Sequence, residues 1–172
     1  MSDAREDGDA WDAAQEGAEL VAEGEYTRAV EVLSRLADAE PDNAYAFFFL
    51  GSAHFELGDY VKALRAYLTA LDLSPDYLGA MVATGQTLRM LGRHAEAIRM
   101  GRQVLARAPE DSDALFLLGA SHFARGDDAA ARGYLERFIA SGPELEAAIE
   151  AQGMLQVLAG EIIEDSPDDD VN

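Results

Sequence analysis

Every 34 residues this chain repeats itself. Proline stands at positions 41, 75, 109 and 143, glycine at 17, 51, 85, 119 and 153, glycine again at 24, 58, 92, 126 and 160, and alanine at 29, 63, 97 and 131. Four columns at one period make the chain an array of one small unit, and each unit must bury its apolar face against its neighbours. Within a unit the apolar residues recur at helical spacing. In the first they are Trp11, Ala14, Ala18 and Val21, then after Gly24 come Ala29, Val30, Leu33 and Leu36. Two helices per unit are therefore expected, with glycine turning the chain between them and proline closing the unit.

The expected boundaries follow from the columns. Residues 1–9 (MSDAREDGD) lack apolar periodicity and are expected to be disordered. Units are expected at about 10–40, 41–74, 75–108 and 109–142, with a lone capping helix over 143–163 and an acidic tail over 164–172. Asp42 or Asn43 is placed to cap the first helix of the second unit. Gly17, Gly51, Gly85 and Gly119 fall inside helices, where glycine costs about 1 kcal/mol relative to alanine. Its use in every unit implies that another helix comes close there.

Charge is concentrated at the ends. The net charge is −20, with nine acidic residues and one arginine in 1–25 (−8) and nine acidic residues and no base in 143–172 (−9). This balance disfavours nucleic acid and anionic membrane surfaces as partners. No apolar run is long enough to span a bilayer, the first residues do not read as a secretory signal, and there is no cysteine. These features lead to an expectation of a cytoplasmic protein without membrane insertion.

The unit pattern resembles the tetratricopeptide repeat (TPR) family. The second unit carries it most fully, in Phe47, Leu50, Gly51, His54, Ala63, Tyr67, Ala70 and Pro75, and the fourth in Leu115, Leu118, Gly119, His122, Ala131, Leu135, Phe138 and Pro143. The third departs at Gly101, where a large apolar residue is usual, and the first at Glu16. The resemblance covers about residues 10–160. It implies an all-α fold, a right-handed α-solenoid of four helix-turn-helix units plus a C-terminal capping helix. Polar Gln152 and Gln156 suit a terminal helix that faces water.

The helix over 44–57 carries two apolar stripes where a helix buried on one side needs one. Phe47, Leu50, Gly51 and His54 form the packing stripe. Tyr45, Phe48, Phe49, Ser52 and Phe55 form the second, which in the resembled family lines a concave groove. The same register selects Trp11 in the first unit, Val82, Gln86, Arg89 and Met90 in the third, and Phe116, Leu117 and Phe123 in the fourth. Together these residues predict a partner-binding groove for an apolar segment of another protein. The Lys, Asn and Arg clamp with which some TPR proteins hold Hsp70 or Hsp90 C-terminal tails is absent, so such a tail is not the expected ligand.

Chemistry is sparse. His54 and His122 lie two units apart, roughly 20 Å by helix-packing distances, too far to share a metal. No nucleophile elbow or phosphate loop occurs, and no catalytic residue, cofactor or metal is expected. Arg89, Arg93, Arg99, Arg102 and Arg107 make the third unit basic, which suits either local ion pairing or docking of the Asp168–Asp170 tail. The functional expectation is a non-enzymatic adaptor. Alternatives are a dedicated chaperone resembling those of type III secretion translocators, and a regulatory subunit of a larger complex.

Overall fold

A computed structural model describes residues 3–160 as nine helices and their connecting turns. They are α1 (Asp3–Ala22), α2 (Tyr26–Ala39), α3 (Ala44–Glu56), α4 (Tyr60–Leu73), α5 (Leu78–Met90), α6 (His94–Arg107), α7 (Ser112–Arg125), α8 (Asp128–Ala140) and α9 (Leu145–Ala159). Eight of them pair into four hairpins, and α9 follows alone. α1 starts at Asp3 rather than near Ala10, so the acidic segment expected to lack structure joins the first helix from Asp3 onward and lengthens it to 20 residues. A helix once started adds each further residue at little cost, so the packed part of α1 can carry an unpatterned extension. The expected end of the capping helix at 163 and the tail 164–172 lie outside the described residues.

The turn glycines do what their column implies. Gly24, Gly58, Gly92, Gly126 and Gly160 all adopt left-handed φ between 72° and 79°, a conformation that side-chain-bearing residues rarely accept. The mid-helix glycines are contact points. A methyl group built on Gly51 would lie 2.7 Å from the Tyr67 ring, and one on Gly119 would lie 2.7 Å from Leu135. Leu33 occupies the same place beside Gly17. The large residue of the second helix thus presses on the glycine of the first, and the core is a string of small clusters between the helix layers.

Unit three reaches the same density by another route. Gly101 stands where Leu33, Tyr67 and Leu135 stand elsewhere, and the space is taken from the next unit. Leu118 lies 2.8 Å from where a Gly101 Cβ would be, and Leu117 fills the place beside Gly85. Both leucines are fully buried.

Asn43 is the local device that orients α3. Its side-chain oxygen accepts from the Ala46 amide at 3.1 Å, and its amide nitrogen donates to the Ala10 carbonyl and to Glu40, each at 2.9 Å. It is 2% exposed; the bond to Ala46 is buried, and those to Ala10 and Glu40 are part-buried. Asn43→Ala is expected to cost about 1–2 kcal/mol, through loss of the cap and of the tie to α1. Chemical denaturation would measure it.

The layers differ in spacing. α1 touches α3, α3 touches α5, α5 touches α7 and α7 touches α9, whereas α2, α4, α6 and α8 touch none of one another. The array therefore curves, with the odd-numbered helices forming the inner wall. No described helix is long and apolar enough to cross a membrane.

Candidate binding groove

On the inner wall the rings of three units meet. Trp11 packs edge-on against Tyr45 at 5.3 Å and Phe49 at 5.7 Å. Tyr45 meets Tyr77 at 5.7 Å, and Phe48 meets Tyr77 at 4.8 Å and Phe49 at 5.1 Å. This ladder crosses α1, α3 and the start of α5. Trp11 is 43% exposed, and Tyr45, Phe48, Phe49 and Tyr77 are half-buried. Edge-to-face aromatic contacts each add about 0.5–1.5 kcal/mol beyond area burial, so the rings hold one another while leaving edges open.

Tyr77 was not singled out in the sequence. It occupies the capping position before α5 that Asn43 fills before α3 and Asp111 before α7. It makes no side-chain cap, and its ring joins the ladder instead. The signal was available: an aromatic residue in a column that holds Asp9, Asn43 and Asp111 in the other three units.

Farther along the wall Arg89 and Phe116 form a second group. The Arg89 guanidinium lies 5.7 Å from the Phe116 ring centre, and its Nε donates to Gln86 at 3.0 Å. Among the described residues no carboxylate lies within ion-pair distance of it. Phe116 also packs on buried Phe138 at 5.1 Å. Asp113, on the first turn of α7, has its carboxyl pushed up from the ordinary value by burial and then by neighbouring Asp111, although the residue as a whole is exposed.

Other expected groove residues are placed differently. Leu117 is fully buried beside Gly85, in a cluster with Leu64, Leu88 and Ala97, and belongs to the core. Ser52 donates to the Phe48 carbonyl at 3.1 Å and accepts from the Tyr67 hydroxyl at 3.2 Å, so its hydroxyl serves the fold. Phe55 turns toward Tyr60 at 5.3 Å, at the α3–α4 corner. Val82 packs half-buried beside Met81, Val104 and Ala114. Phe123 is half-buried near the end of α7, and Met90, at the end of α5, is 42% exposed.

His122 and His54 sit at the corners of their hairpins. His122 Nδ1 lies 3.0 Å from Asp127, and the ring stacks on Tyr134. His54 approaches Asp59 at 3.7 Å in the equivalent place. Burial, then the neighbouring Lys62, lowers the His54 pKa, while Asp59 opposes the shift. Among the described residues no three His, Asp or Glu side chains converge to hold a metal ion. Arginines of unit three pair locally: Arg93 with Glu96 at 2.7 Å, Arg99 with Glu96 at 3.8 Å, and Arg107 with Asp76 at 3.3 Å. A cleft of about 170 Å³ opens between Leu64, Leu88 and Met100 on the outer side, smaller than the roughly 300–1,000 Å³ of small-molecule sites.

Curved stacking of helical hairpins with an aromatic inner wall defines a helical-repeat solenoid of the protein-binding type. The Tetratricopeptide repeat family model matches residues 14–78, 62–102 and 82–151, and the chain belongs to that family. A comparison with curated proteins finds no match. Among solved structures the chain is similar to MamA (residues 41 to the end) from Desulfovibrio magneticus RS-1, with TM-score 0.71 and 20% identity, covering 91% of this chain and 97% of that one. TTC0263 of Thermus thermophilus aligns with TM-score 0.71 and 18% identity over 93% of each chain. The second TPR domain of human RPAP3, solved with an HSP70 peptide, aligns with TM-score 0.62 and 24% identity over 67% of this chain and 97% of that one. At these identities the likeness shows the fold, and folds of this family generally mediate protein–protein interaction.

Proposed function

We propose that this protein is an adaptor that captures an apolar segment of a partner protein along its inner wall. The observation that carries the reading is the ring ladder from Trp11 to Tyr77, which stays partly open to solvent on the concave side. A monomer that needed these rings only for its core would bury them, and an exposed cluster of this kind suits an extended or helical segment with alternating apolar anchors. Arg89, without a carboxylate partner among the described residues, offers such a segment one place for an acidic side chain. The Lys, Asn and Arg clamp for an Hsp70 or Hsp90 tail has no counterpart in this sequence. What RPAP3 binds is therefore not transferred to this chain.

The test compares wild type with a Phe48/Phe49/Phe116 triple alanine variant in pull-downs read by mass spectrometry. A partner recovered by wild type and lost by the variant is expected. Calorimetry with that partner should then show Phe49→Ala, and separately the more exposed Trp11→Ala, weakening binding by about 1–3 kcal/mol. Circular dichroism guards against misfolding. Equal recovery by a folded triple variant would remove the groove from consideration.

A further inference from the structure

The outer cleft of units two and three joins an apolar floor to a cationic rim. α4 and α6 do not touch, and the furrow between them is floored by Leu64 and Leu68 of α4, Leu88 of α5 and Met100 of α6. Leu68 is 44% exposed. A volume of about 170 Å³ is small for a metabolite and suits an aliphatic side chain.

The rim carries more cations than its own acids match. Arg93 and Arg99 share one carboxylate, Glu96, at 2.7 and 3.8 Å. Lys62 is held by Asp59. Arg65 takes the place on α4 that Arg99 takes on α6, 34 residues later, and Arg102 follows one turn along α6. Arg65 and Arg102 are exposed, and among the described residues neither has a carboxylate partner. Asp72 stands at the far end of α4. Such a surplus is unusual in a chain of net charge −20.

The residues after α9 are its complement. Positions 161–172, which lie outside the described residues, read EIIEDSPDDDVN: six acids and no base, with Asp168–Asp170 followed directly by Val171. Gly160 and Gly92 hold the same turn of their units, each with φ 72°. α9 therefore ends on the edge of the stack where α6 begins, beside the rim arginines. Between α9 and the cleft stand α8 and α6, two helix diameters or about 20–24 Å. The eleven steps from Gly160 to Val171 span up to about 36 Å when extended. Asp127 on that route is paired with Arg125 at 3.4 Å, and Asp128 opposes the crossing.

We propose that residues 161–172 cross the outer face of α8 and α6 and dock in this cleft, with Asp168–Asp170 on Arg65, Arg99 and Arg102 and Val171 seated on the apolar floor. The tether gives the tail an effective concentration on the order of millimolar, so modest contacts are enough to hold it. A separate acidic segment would have to displace it. The rim contacts are ionic and weaken with salt. The inner wall stays open.

The chain has no cysteine, so Asn172→Cys carries a single nitroxide label on the full chain. Paramagnetic broadening of amide resonances is expected at Leu64, Leu68, Arg99 and Met100, and not at Trp11, Phe49 or Phe116 of the inner wall. It should be lost at high salt and in an Arg65→Glu/Arg99→Glu/Arg102→Glu variant. Val171→Asp should also lose it, because that change adds an acid but removes the apolar anchor. Unchanged far-UV circular dichroism confirms the fold of each variant. Broadening that is spread evenly, or gathered on the inner wall, overturns the proposal. So does broadening at the cleft that survives charge reversal or Val171→Asp. Mixing labelled chains with unlabelled, isotope-enriched ones identifies the tail's owner: broadening in the unlabelled copy assigns the cleft to a second copy's tail and overturns the proposal.

Discussion

Leu117→Ala is expected to lower the free energy of unfolding by about 2–5 kcal/mol, the usual cost of opening a leucine-sized cavity in a closed core. Leu117 is fully buried and fills the space beside Gly85, reaching back from unit four into unit three. The buried cluster that it shares with Leu64, Leu88 and Ala97 would lose packing. Urea denaturation followed by circular dichroism measures the loss. The same geometry predicts a compensation. Gly85→Ala in the wild type forces its methyl group against Leu117 and should destabilise by about 1–3 kcal/mol, despite alanine's better helix propensity. In the Leu117→Ala background that methyl group enters the vacated space, so the double variant should be more stable than the sum of the single losses. Additive losses would show that the two residues are not in contact.

Tyr67→Ala is expected to cost about 3–5 kcal/mol, the range for deleting a buried aromatic side chain. Tyr67 is 3% exposed, presses on Gly51, backs Phe48 at 5.7 Å and donates to Ser52. Tyr67→Phe keeps the ring and loses one hydrogen bond, so it should cost only about 1 kcal/mol. The hydroxyl also leaves a mark in alkali. Burial pushes its pKa up to about 12 from an ordinary 10.0, partly offset by the bond to Ser52. The folded state thus disfavours the phenolate. This contribution is whole below pH 10 and is lost as pH rises from there through about 12. Tyr67→Phe should flatten the loss of stability in that window, and an unaltered alkaline profile would contradict the assigned burial.

Much of the fold could be read in the sequence because glycine and proline act locally. A turn that needs positive φ selects glycine wherever it occurs, so five turns announced themselves at one spacing. The close-approach glycines were legible for the same reason. Register within the wall was harder. A residue one step around a helix moves from rim to core, and Leu117, beside Phe116, made that step because Gly101 left a gap only the next unit could fill. Gly101 was visible, but which side chain would fill its gap depended on packing between units. Ser52 looked like a groove residue until Tyr67 claimed its hydroxyl across the hairpin. Tyr77 was missed because it stands before a helix rather than on one. The extension of α1 to Asp3 has no apolar period to announce it, and propagation from a packed helix leaves no mark in the residues it recruits.

A layer whose members do not touch behaves unlike one whose members do. α2, α4, α6 and α8 share no contacts with one another, and each joins the next unit by packing on its first helix, α2 on α3, α4 on α5, α6 on α7 and α8 on α9. Resistance to bending is therefore shared between those helix pairs and the direct contacts of the odd-numbered helices along the front. A change of curvature has to slide the second helix of one unit against the first helix of the next, so the whole rod bends as a set of coupled joints.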